Sequence, residues 1–298
     1  MVAQTRRSSR IEHVMKTLGV IANPVKDQAG RVLVRLAERA VQAGIALVPD
    51  DGTAALMGQA GGRGPAAMDG VDAIMVLGGD GTLLRAVQAL HGRDVPIIGV
   101  NLGGLGFMTS VAETELERAV DCLARDEFGI SQRTMLECRV ASTAAGAGPF
   151  RALNDVVMTS MESRVATLRM QVDGQAVGDF VCDGVILSTP TGSTGHSLSA
   201  GGPLLMPEAR ALVVSLICPH TLSTRPLVLP DEVTIEVTVA ATAGGVFLTA
   251  DGQVGQSLAA GDRVVVRRDP RGVRFIHLPG YSYFGVLRQK LHWRGSNV

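Results

Sequence analysis

Two glycine-rich segments in the first half of the sequence carry the residues best suited to chemistry. The segment GGDGT at 78–82 follows an apolar run at 73–77, and NLGGLGF at 101–107 follows another run at 97–100. Glycines let backbone N–H groups approach a phosphate because no Cβ intervenes. A turn that opens a helix adds the partial positive charge of the helix N-terminus. Both segments are therefore predicted to line one crevice that binds a phosphorylated ligand.

Asp80 has two interpretations at this point. At the C-terminal end of a strand, where open α/β sheets place their ligands, its carboxylate could accept a proton from an attacking hydroxyl or help to hold Mg²⁺. Alternatively, Asp80 is the N-cap of a helix that follows a tight turn. The segment at 101–107 lacks the G-x-G-x-x-G spacing, so a standard dehydrogenase site is not supported. Phe107 is either core or a contact for a flat ligand.

The second half contains four more candidate segments. Asn154-Asp155 pairs an amide with a carboxylate and could hold two ribose hydroxyls, although Asn-Asp is also a common turn. The segment at 183–203 is dense in small hydroxyl residues and glycines, which suit phosphate and ribose binding. Arg225 is a candidate phosphate contact or a surface ion pair. The segment at 251–253 has the sequence DGQ, which predicts a hairpin turn.

Hydrophobic periodicity indicates the elements that position these segments. Apolar runs predict strands at 17–22, 45–48, 73–77 and 97–100, and helical spacing predicts helices at 32–41, 82–90 and 113–124. This alternation predicts an α/β domain with a parallel, Rossmann-like sheet. Strict alternation at 166–172 and 233–239 predicts antiparallel β structure in the second half.

The predicted organisation has two domains and two terminal segments. We expect a disordered tail at 1–14, an α/β domain carrying GGDGT at 15–129 and a β-rich domain at 130–280. The segment at 281–298, with a helix predicted at 283–293, is expected to return to the first domain.

Composition excludes several classes of function. The 298 residues carry 28 basic and 28 acidic side chains, without the positive excess of a nucleic-acid binder. The four cysteines form no C-x-x-C pair, which argues against a zinc cluster and fits a reducing compartment. No apolar run has the length of a membrane span, and the N-terminal residues do not resemble a secretory signal. We therefore expect a cytoplasmic enzyme with no membrane or nucleic-acid partner.

Taken together, the motifs resemble those of the bacterial NAD kinases over most of the chain, from about Gly19 to Trp293. The segments that carry the resemblance are GGDGT at 78–82, NLGGLGF at 101–107, LND at 153–155, DGVILSTPTGSTGHSLSAGGP at 183–203, PHTLSTRPLV at 219–228, DGQ at 251–253 and YSYF at 281–284. The resemblance implies the NAD kinase-like two-domain fold and a homodimer or homotetramer. It also implies transfer of the γ-phosphate of ATP to the 2′-hydroxyl of the adenosine ribose of NAD, with Mg²⁺ or another divalent metal accompanying ATP and no fixed protein site for that metal.

The resemblance also implies roles for individual residues. Asp80 corresponds to the general base, and Asn154 and Asp155 correspond to the pair that binds NAD ribose. The phosphate-binding turn would contain Gly79, Gly81 and Thr82. The remaining residues expected to bind substrate or nucleotide are Phe107, Asp183, Thr191, Ser193, Thr194, Gly195, His196 and Ser199. Arg225 and Gln253 are further candidates.

Three departures from the pattern of many relatives involve four positions. Asp155 stands where many have Glu, which changes the reach of the carboxylate. Gly195-His196 replaces Ala-Tyr, and His196 offers less apolar area for packing on adenine and can gain a charge near neutral pH. Leu102 stands where some relatives carry Arg, so one possible phosphate contact is absent.

Two alternative functions are compatible with parts of the pattern. Diacylglycerol and sphingosine kinases share GGDGT but commonly follow it with Asn-Glu, and phosphofructokinases share only its GGDG core. A dinucleotide sensor without catalysis would keep the pocket, although the intact Asp80 argues against it. Formation of NADP from ATP and NAD distinguishes all of these.

Overall fold

The computed structural model of the chain describes residues 15–64, 68, 70–141, 148–161 and 165–293. These residues form two compact units. The first contains residues up to 86, 95–130 and those from 275 onward, and the second contains 87–94 and 131–274. The tail predicted at 1–14 lies outside the described residues.

The two units separate after Ile130 and after Arg274, where the sequence predicts boundaries at 129 and 280. Residues 87–94 belong to the second unit, where the Gln88 amide donates to the carbonyl of Arg151 and the Arg274 guanidinium pairs with Asp94. Phe275 belongs to the first unit because it pairs with Ile97 on a parallel strand. This boundary falls inside the long strand Arg263–His277, which shows no change of composition there, so sequence periodicity does not reveal it.

The first unit is built on a parallel sheet. Its elements are β1 (Thr17–Ala22), α1 (Ala29–Ala43), β2 (Ala46–Pro49), α2 (Asp51–Leu56), β3 (Ala73–Gly78), β4 (Ile97–Asn101), β5 (Val111–Ala112) and α4 (Leu116–Ala124), with α3 (Asp80–Ala89) beginning in it. The strands are ordered β2-β1-β3-β4, all parallel, and β5 pairs with β4. This confirms the predicted α/β class. All residues of β3 and β4 are buried, as expected for strands covered on both faces.

The helices of the first unit pack apolar faces on this sheet. Val32, Leu33 and Leu36 of α1 are buried in one core with strand residues such as Leu18 and Met75. Gly44 ends α1 with a left-handed φ of 72°, as its predicted role as a stop requires. The helix predicted at 113–124 divides into a 3₁₀ turn at Glu113–Glu115 followed by α4.

Helix α3 begins two residues earlier than predicted, at Asp80 rather than Thr82. The carbonyl of Gly79 accepts hydrogen bonds from the N–H groups of Thr82 and Leu83, which starts the helix immediately after β3. The GGDGT segment is therefore a strand end joined directly to a helix N-terminus.

The second unit contains two antiparallel sheets. Its elements are β6 (Gly129–Ala141), β7 (Phe150–Ala152), β8 (Asp155–Ser160), β9 (Ala166–Val172), β10 (Gln175–Cys182), β11 (Gly184–Ser188), α5 (His196–Ser199), β12 (Ala211–Ile217), β13 (Leu227–Pro230), β14 (Ile235–Thr242), β15 (Val246–Ala250), β16 (Val254–Leu258) and β17 (Arg263–His277). One sheet has the order β10-β9-β14-β17, with β6 pairing β17 and β7, and the other has the order β13-β12-β11-β8-β15-β16.

A single hydrophobic core takes residues from both of these sheets, including Leu168 and Val237 from one and Met158 and Val185 from the other. The alternation predicted for 166–172 is confirmed as β9, and the pattern at 233–239 becomes β14, which begins at Ile235. The DGQ segment is the predicted hairpin turn, since Ala250 pairs with Val254 across it.

The C-terminal helix α6 (Tyr283–Lys290) is capped by Ser282, whose hydroxyl accepts from the N–H of Gly285. It belongs to the first unit and is shorter than the predicted span of 283–293. No helix in the described part of the chain combines the length and apolarity needed to cross a bilayer.

Candidate nucleotide site

The carboxylate of Asp80 accepts four hydrogen bonds from the second glycine-rich segment. Oδ2 accepts from the N–H of Phe107 at 2.8 Å, and Oδ1 accepts from the N–H groups of Met108 and Thr109 at 3.1 Å each. The Thr109 hydroxyl also donates to Oδ1 at 3.1 Å. The two glycine-rich segments predicted to share a crevice therefore do meet, through this side chain. Since its acceptors are used on residues 107–109, Asp80 is not an N-cap for α3.

Gly106 makes this approach possible. A Cβ at Gly106 would overlap the Asp80 carboxylate and the Thr109 hydroxyl. The Thr109 hydroxyl is itself held by the buried Asn101, whose Nδ2 donates to Oγ1 at 2.8 Å. A chain of hydrogen bonds thus runs from the end of β4 to Asp80.

The two inner glycines of GGDGT are not required by the fold. A Cβ at Gly79 or Gly81 would meet no atom within 4 Å, and neither residue has a positive φ. Gly78 differs, because its Cβ would lie 2.5 Å from the hydroxyl oxygen of the buried Thr82. The space above Gly79 and Gly81 is open, at the N-terminus of a ten-residue helix whose dipole favours an anion.

Phe107 is partly exposed beside this turn. The Lys290 ammonium of α6 lies 5.6 Å from the centre of its ring, within the range of a cation–π contact. Thr82 accepts a hydrogen bond from the Asn23 amide at 3.2 Å, so its hydroxyl already has a partner within the unit.

In the second unit, one buried carboxylate holds the segment that contains Asn154 and Asp155. Asp251 Oδ1 accepts from the N–H of Asn154 at 2.7 Å and of Asp155 at 3.2 Å, and Oδ2 accepts from the N–H of Leu153 at 2.8 Å. The Gln88 amide donates to Oδ2 at 3.1 Å. Asp251 itself adopts a left-handed φ of 54°, which is uncommon for a residue with a side chain.

Asp155 is a buried acid beside an exposed imidazole. Its carboxylate lies 3.7 Å from Nδ1 of His196. Burial is the main reason that the pKa of Asp155 is raised to about 6; the charge of Asp251 raises it further, and His196 opposes both. The structure therefore brings together three predicted ribose and adenine residues, namely Asn154, Asp155 and His196.

Most hydroxyl groups of the segment that follows β11 form hydrogen bonds within the protein. Thr189 donates to the carbonyl of Leu153, and Thr194 donates to the carbonyl of Thr191. Ser193 is fully buried, donates to the carbonyl of Pro190 at 2.7 Å and accepts from the N–H of Leu205. The ligand contacts of Thr194 and Ser193 stay predictions.

Two polar atoms of the predicted site are buried without a hydrogen-bond partner: Asn154 Oδ1 and Thr191 Oγ1. Buried acceptors of this kind are uncommon in native structures. Gly192 packs closely against the backbone of Asn154, since a Cβ at Gly192 would overlap the Asn154 carbonyl. Both atoms have unused capacity for a ligand hydroxyl.

The other predicted residues lie in varied surroundings. Asp183 is exposed and accepts a hydrogen bond from the Cys218 thiol, whose pKa it raises. Arg225 donates to the carbonyls of Leu222 and Thr224 in its own loop, and its contact with a phosphate stays a prediction. Gly195, Ser199 and Gln253 lie at or near the surface.

Comparison with known proteins matches both halves of the chain. Residues 18–128 match the ATP-NAD kinase N-terminal domain and residues 153–278 match the ATP-NAD kinase C-terminal domain. The NAD kinase of Gemmatimonas aurantiaca is 47% identical over 229 residues, covering 76% of this chain and 78% of the relative. That of Koribacter versatilis is 38% identical over 282 residues, covering 94% and 99%. The chain belongs to the NAD kinase family.

Solved structures confirm the NAD kinase fold. A yeast NADH kinase complexed with NADH superposes with a TM-score of 0.86 at 23% identity, covering 96% of this chain and 90% of that one. An NAD kinase from Archaeoglobus fulgidus in complex with ATP gives a TM-score of 0.74 at 23% identity, covering 92% and 99%. The predicted combination of an α/β domain and a β-rich domain is therefore the fold of this family.

Among the described residues, no three of His, Cys, Asp and Glu lie together as ligands for a metal ion. The carboxylate at the GGDGT turn is Asp80, with three donors on Oδ1 and one on Oδ2.

Sequence reasoning missed Thr109 and Asp251. Thr109 falls two residues outside the glycine-rich motif, and its hydroxyl becomes relevant only when β4 and α3 are placed side by side. Asp251 was assigned only to a turn. An Asp at the first position of a three-residue turn, next to Gly252, is the one signal that could have singled it out, since such a residue often accepts from backbone N–H groups.

Proposed function

We propose that Asp80 is the general base of the reaction that defines the family: transfer of the γ-phosphoryl group of ATP to the 2′-hydroxyl of the adenosine ribose of NAD, giving NADP and ADP. The hydroxyl oxygen forms a bond to the γ-phosphorus as the bond to the β-phosphate oxygen breaks. The hydroxyl proton passes to Asp80. Positioning and charge stabilisation supply most of the rate in transfers of this kind.

The open turn at Gly79 and Gly81 is the observation that supports this proposal most directly. The protein packs nothing against these two residues, and the N-terminus of α3 lies under them. A Cβ at either position would extend only into space that a phosphate can use. We propose that the phosphates of the Mg²⁺–ATP substrate bind here, with Gly79, Gly81 and Thr82 forming the turn.

The hydrogen bonds on Asp80 are divided unequally between its two oxygens. Oδ1 accepts from the N–H groups of Met108 and Thr109 and from the Thr109 hydroxyl, whereas Oδ2 accepts only from the N–H of Phe107. A carboxylate oxygen has about two lone-pair sites, so Oδ2 keeps one acceptor site for a substrate hydroxyl. We propose that Oδ2 takes the proton while Oδ1 fixes the orientation of the carboxylate.

We further propose that Asn154 and Asp155 bind ribose hydroxyls of NAD and that His196 packs on adenine. The unpartnered Oδ1 of Asn154 and the charge on Asp155 provide acceptors for those hydroxyls. A cytoplasmic homodimer or homotetramer is proposed from the family resemblance.

Replacement of Asp80 by Asn tests the proposed base. Turnover should fall by about 10²-fold or more because the amide cannot accept the proton, while the dissociation constant for NAD stays within a few fold. NADP formation from ATP, Mg²⁺ and NAD gives the rate, and calorimetric titration gives NAD affinity.

The matched control is Asp51→Asn, which removes an exposed carboxylate from the first turn of α2 in the same unit and should leave turnover unchanged. Near-normal turnover in Asp80→Asn would exclude the base role. Tight NAD binding by the wild-type protein without any NADP formation would favour a dinucleotide sensor instead.

A further inference from the structure

We propose that Asp251 is a positioning residue for dinucleotide binding: its buried carboxylate fixes the backbone at 153–155 and so sets the direction of the Asn154 and Asp155 side chains. The proposal rests on the proposed binding role of that pair. Asp251 belongs to a turn between β15 and β16 and is not one of the residues expected to touch the ligand.

The contacts of Asp251 exceed what a hairpin turn requires. Three consecutive N–H groups, of Leu153, Asn154 and Asp155, donate to its two oxygens at 2.7–3.2 Å. In return, the N–H of Asp251 donates to the carbonyl of Asp155 at 2.9 Å. A turn could be closed by the single bond from the N–H of Gln253 to the carbonyl of Ala250, which is also present.

The segment that Asp251 holds cannot be fixed by strand pairing alone. Strand β8 begins at Asp155, so Leu153 and Asn154 lie between β7 and β8. Their carbonyls accept from the Thr189 hydroxyl and the Thr189 N–H. Asp251 supplies the acceptors for their N–H groups, which would otherwise be unpaired near a buried site.

Asp251 is itself held in place from α3. The Gln88 amide donates to Oδ2 at 3.1 Å and to the carbonyl of Arg151 at 2.5 Å. Only 6% of Asp251 is exposed, so burial raises its pKa, although the three N–H groups and Gln88 act in the opposite direction. Burial of a carboxylate costs free energy even when four donors bond to it, and a simple turn would form without that cost.

The charge of Asp251 gives the proposal a second, electrostatic consequence. Two titratable groups act on Asp155: His196 from α5, which lowers its pKa, and Asp251 from the turn, which raises it. Removal of the Asp251 charge should therefore let Asp155 ionise at lower pH. This titration reports the charge of Asp251, and the NAD dissociation constant reports the hydrogen bonds by which Asp251 holds the segment at 153–155.

Asp251→Asn tests both consequences. The amide keeps one acceptor but turns an NH₂ group toward backbone N–H donors, so the segment at 153–155 loses its clamp. The dissociation constant for NAD should rise about tenfold. The carboxyl ¹³C titration of Asp155, followed in the ligand-free protein labelled at aspartate, should move to lower pH.

The control is Asp262→Asn, which alters another buried carboxylate of the same unit that accepts from the N–H of Ala259 in a different turn. It should leave both the NAD dissociation constant and the Asp155 titration unchanged. The proposal is wrong if Asp251→Asn leaves both quantities at their wild-type values, or if Asp262→Asn changes them equally.

A second variant covers the case in which Asp251→Asn does not fold. Gln88→Leu removes one donor to Asp251 without removing its charge, and should raise the dissociation constant for NAD two- to threefold. Unchanged affinity in this variant would count against the proposal. The titration arm needs no catalysis, so a protein that binds NAD but makes no NADP would refute the proposed reaction and leave the positioning role open to measurement.

Discussion

At the residue scale, Asp155 has a proposed role in binding ribose and also lowers the stability of the folded protein at neutral pH. Asp155 is 3% exposed, and its pKa of about 6 lies above the ordinary aspartate value. An acid whose pKa is raised by folding favours the folded state most below its unfolded pKa. That contribution is lost as the pH rises from about 4 to about 6. At pH 7.5 the ionised carboxylate therefore opposes folding.

Asp155→Asn should stabilise the protein at pH 7.5 while weakening NAD binding. Removal of the buried charge should increase the free energy of unfolding by about 1–3 kcal/mol, since each unit of pKa corresponds to roughly 1.4 kcal/mol. The gain should disappear near pH 4, where wild-type Asp155 is protonated. Urea denaturation at the two pH values measures it.

Asp269→Asn is the control, because it should change the free energy of unfolding in the opposite direction. Asp269 is also buried, and burial alone would raise its pKa, but hydrogen bonds from Arg151 and Arg271 lower it overall. Its charge therefore supports folding at pH 7.5, and the variant should lose about 3–5 kcal/mol because Arg151 is left unpaired. If both variants change stability in the same direction, the assignment of the Asp155 charge as destabilising is wrong.

At the element scale, strand ends and the loops that follow them determine the site. The sequence predicted β3, β4 and the glycine-rich segments after them, because continuous apolar runs that end in glycines are a local signal. It could not predict that Asp80 would bond to residues 107–109, because that contact joins positions 27 to 29 residues apart. The hydrogen bonds of Asp251 join positions that are further apart in the sequence, since the N–H groups of residues 153–155 are 96 to 98 residues away.

Gly106→Ala should disrupt the loop that holds Asp80, whereas Gly104→Ala should not. A Cβ at Gly106 would overlap the Asp80 carboxylate, but one at Gly104 would meet nothing within 4 Å. We expect Gly106→Ala to lower the melting temperature by several degrees and turnover by about tenfold or more, from overpacking at a cost of roughly 1–3 kcal/mol. Thermal unfolding and NADP formation measure both, and equal behaviour of the two variants would refute the packing argument.

At the scale of the whole molecule, the class of both units could be predicted from the sequence, whereas the grouping of residues 87–94 with the second unit could not. Local periodicity indicated parallel and antiparallel sheets correctly. The membership of 87–94 depends instead on contacts such as that of Gln88 with Asp251, which no local pattern encodes. In the second unit, edge strands β10 and β13 line a common groove of about 280 Å³ through residues such as Val177 and Leu227.

We expect the proposed homo-oligomer to use this part of the second unit. Val228 on edge strand β13 is 52% exposed, and exposed apolar edge strands favour association. Val228→Lys should shift the mass measured by light scattering toward the monomer. Val41→Lys, at an exposed position on α1 of the first unit, should leave the mass unchanged. A wild-type protein that is monomeric at all concentrations would contradict the expectation.

The four hydrogen bonds on Asp80 have a consequence for the hydrolysis of ATP in the absence of NAD. Water is present at far higher concentration than NAD. A free base beside bound ATP would activate water, and the ATP would then be hydrolysed without forming NADP. Residues 107–109 place three donors on Oδ1 and one on Oδ2, so only one side of Oδ2 stays open to a passing water molecule. With Asp80 as the base, water and the substrate alcohol would compete for that single position.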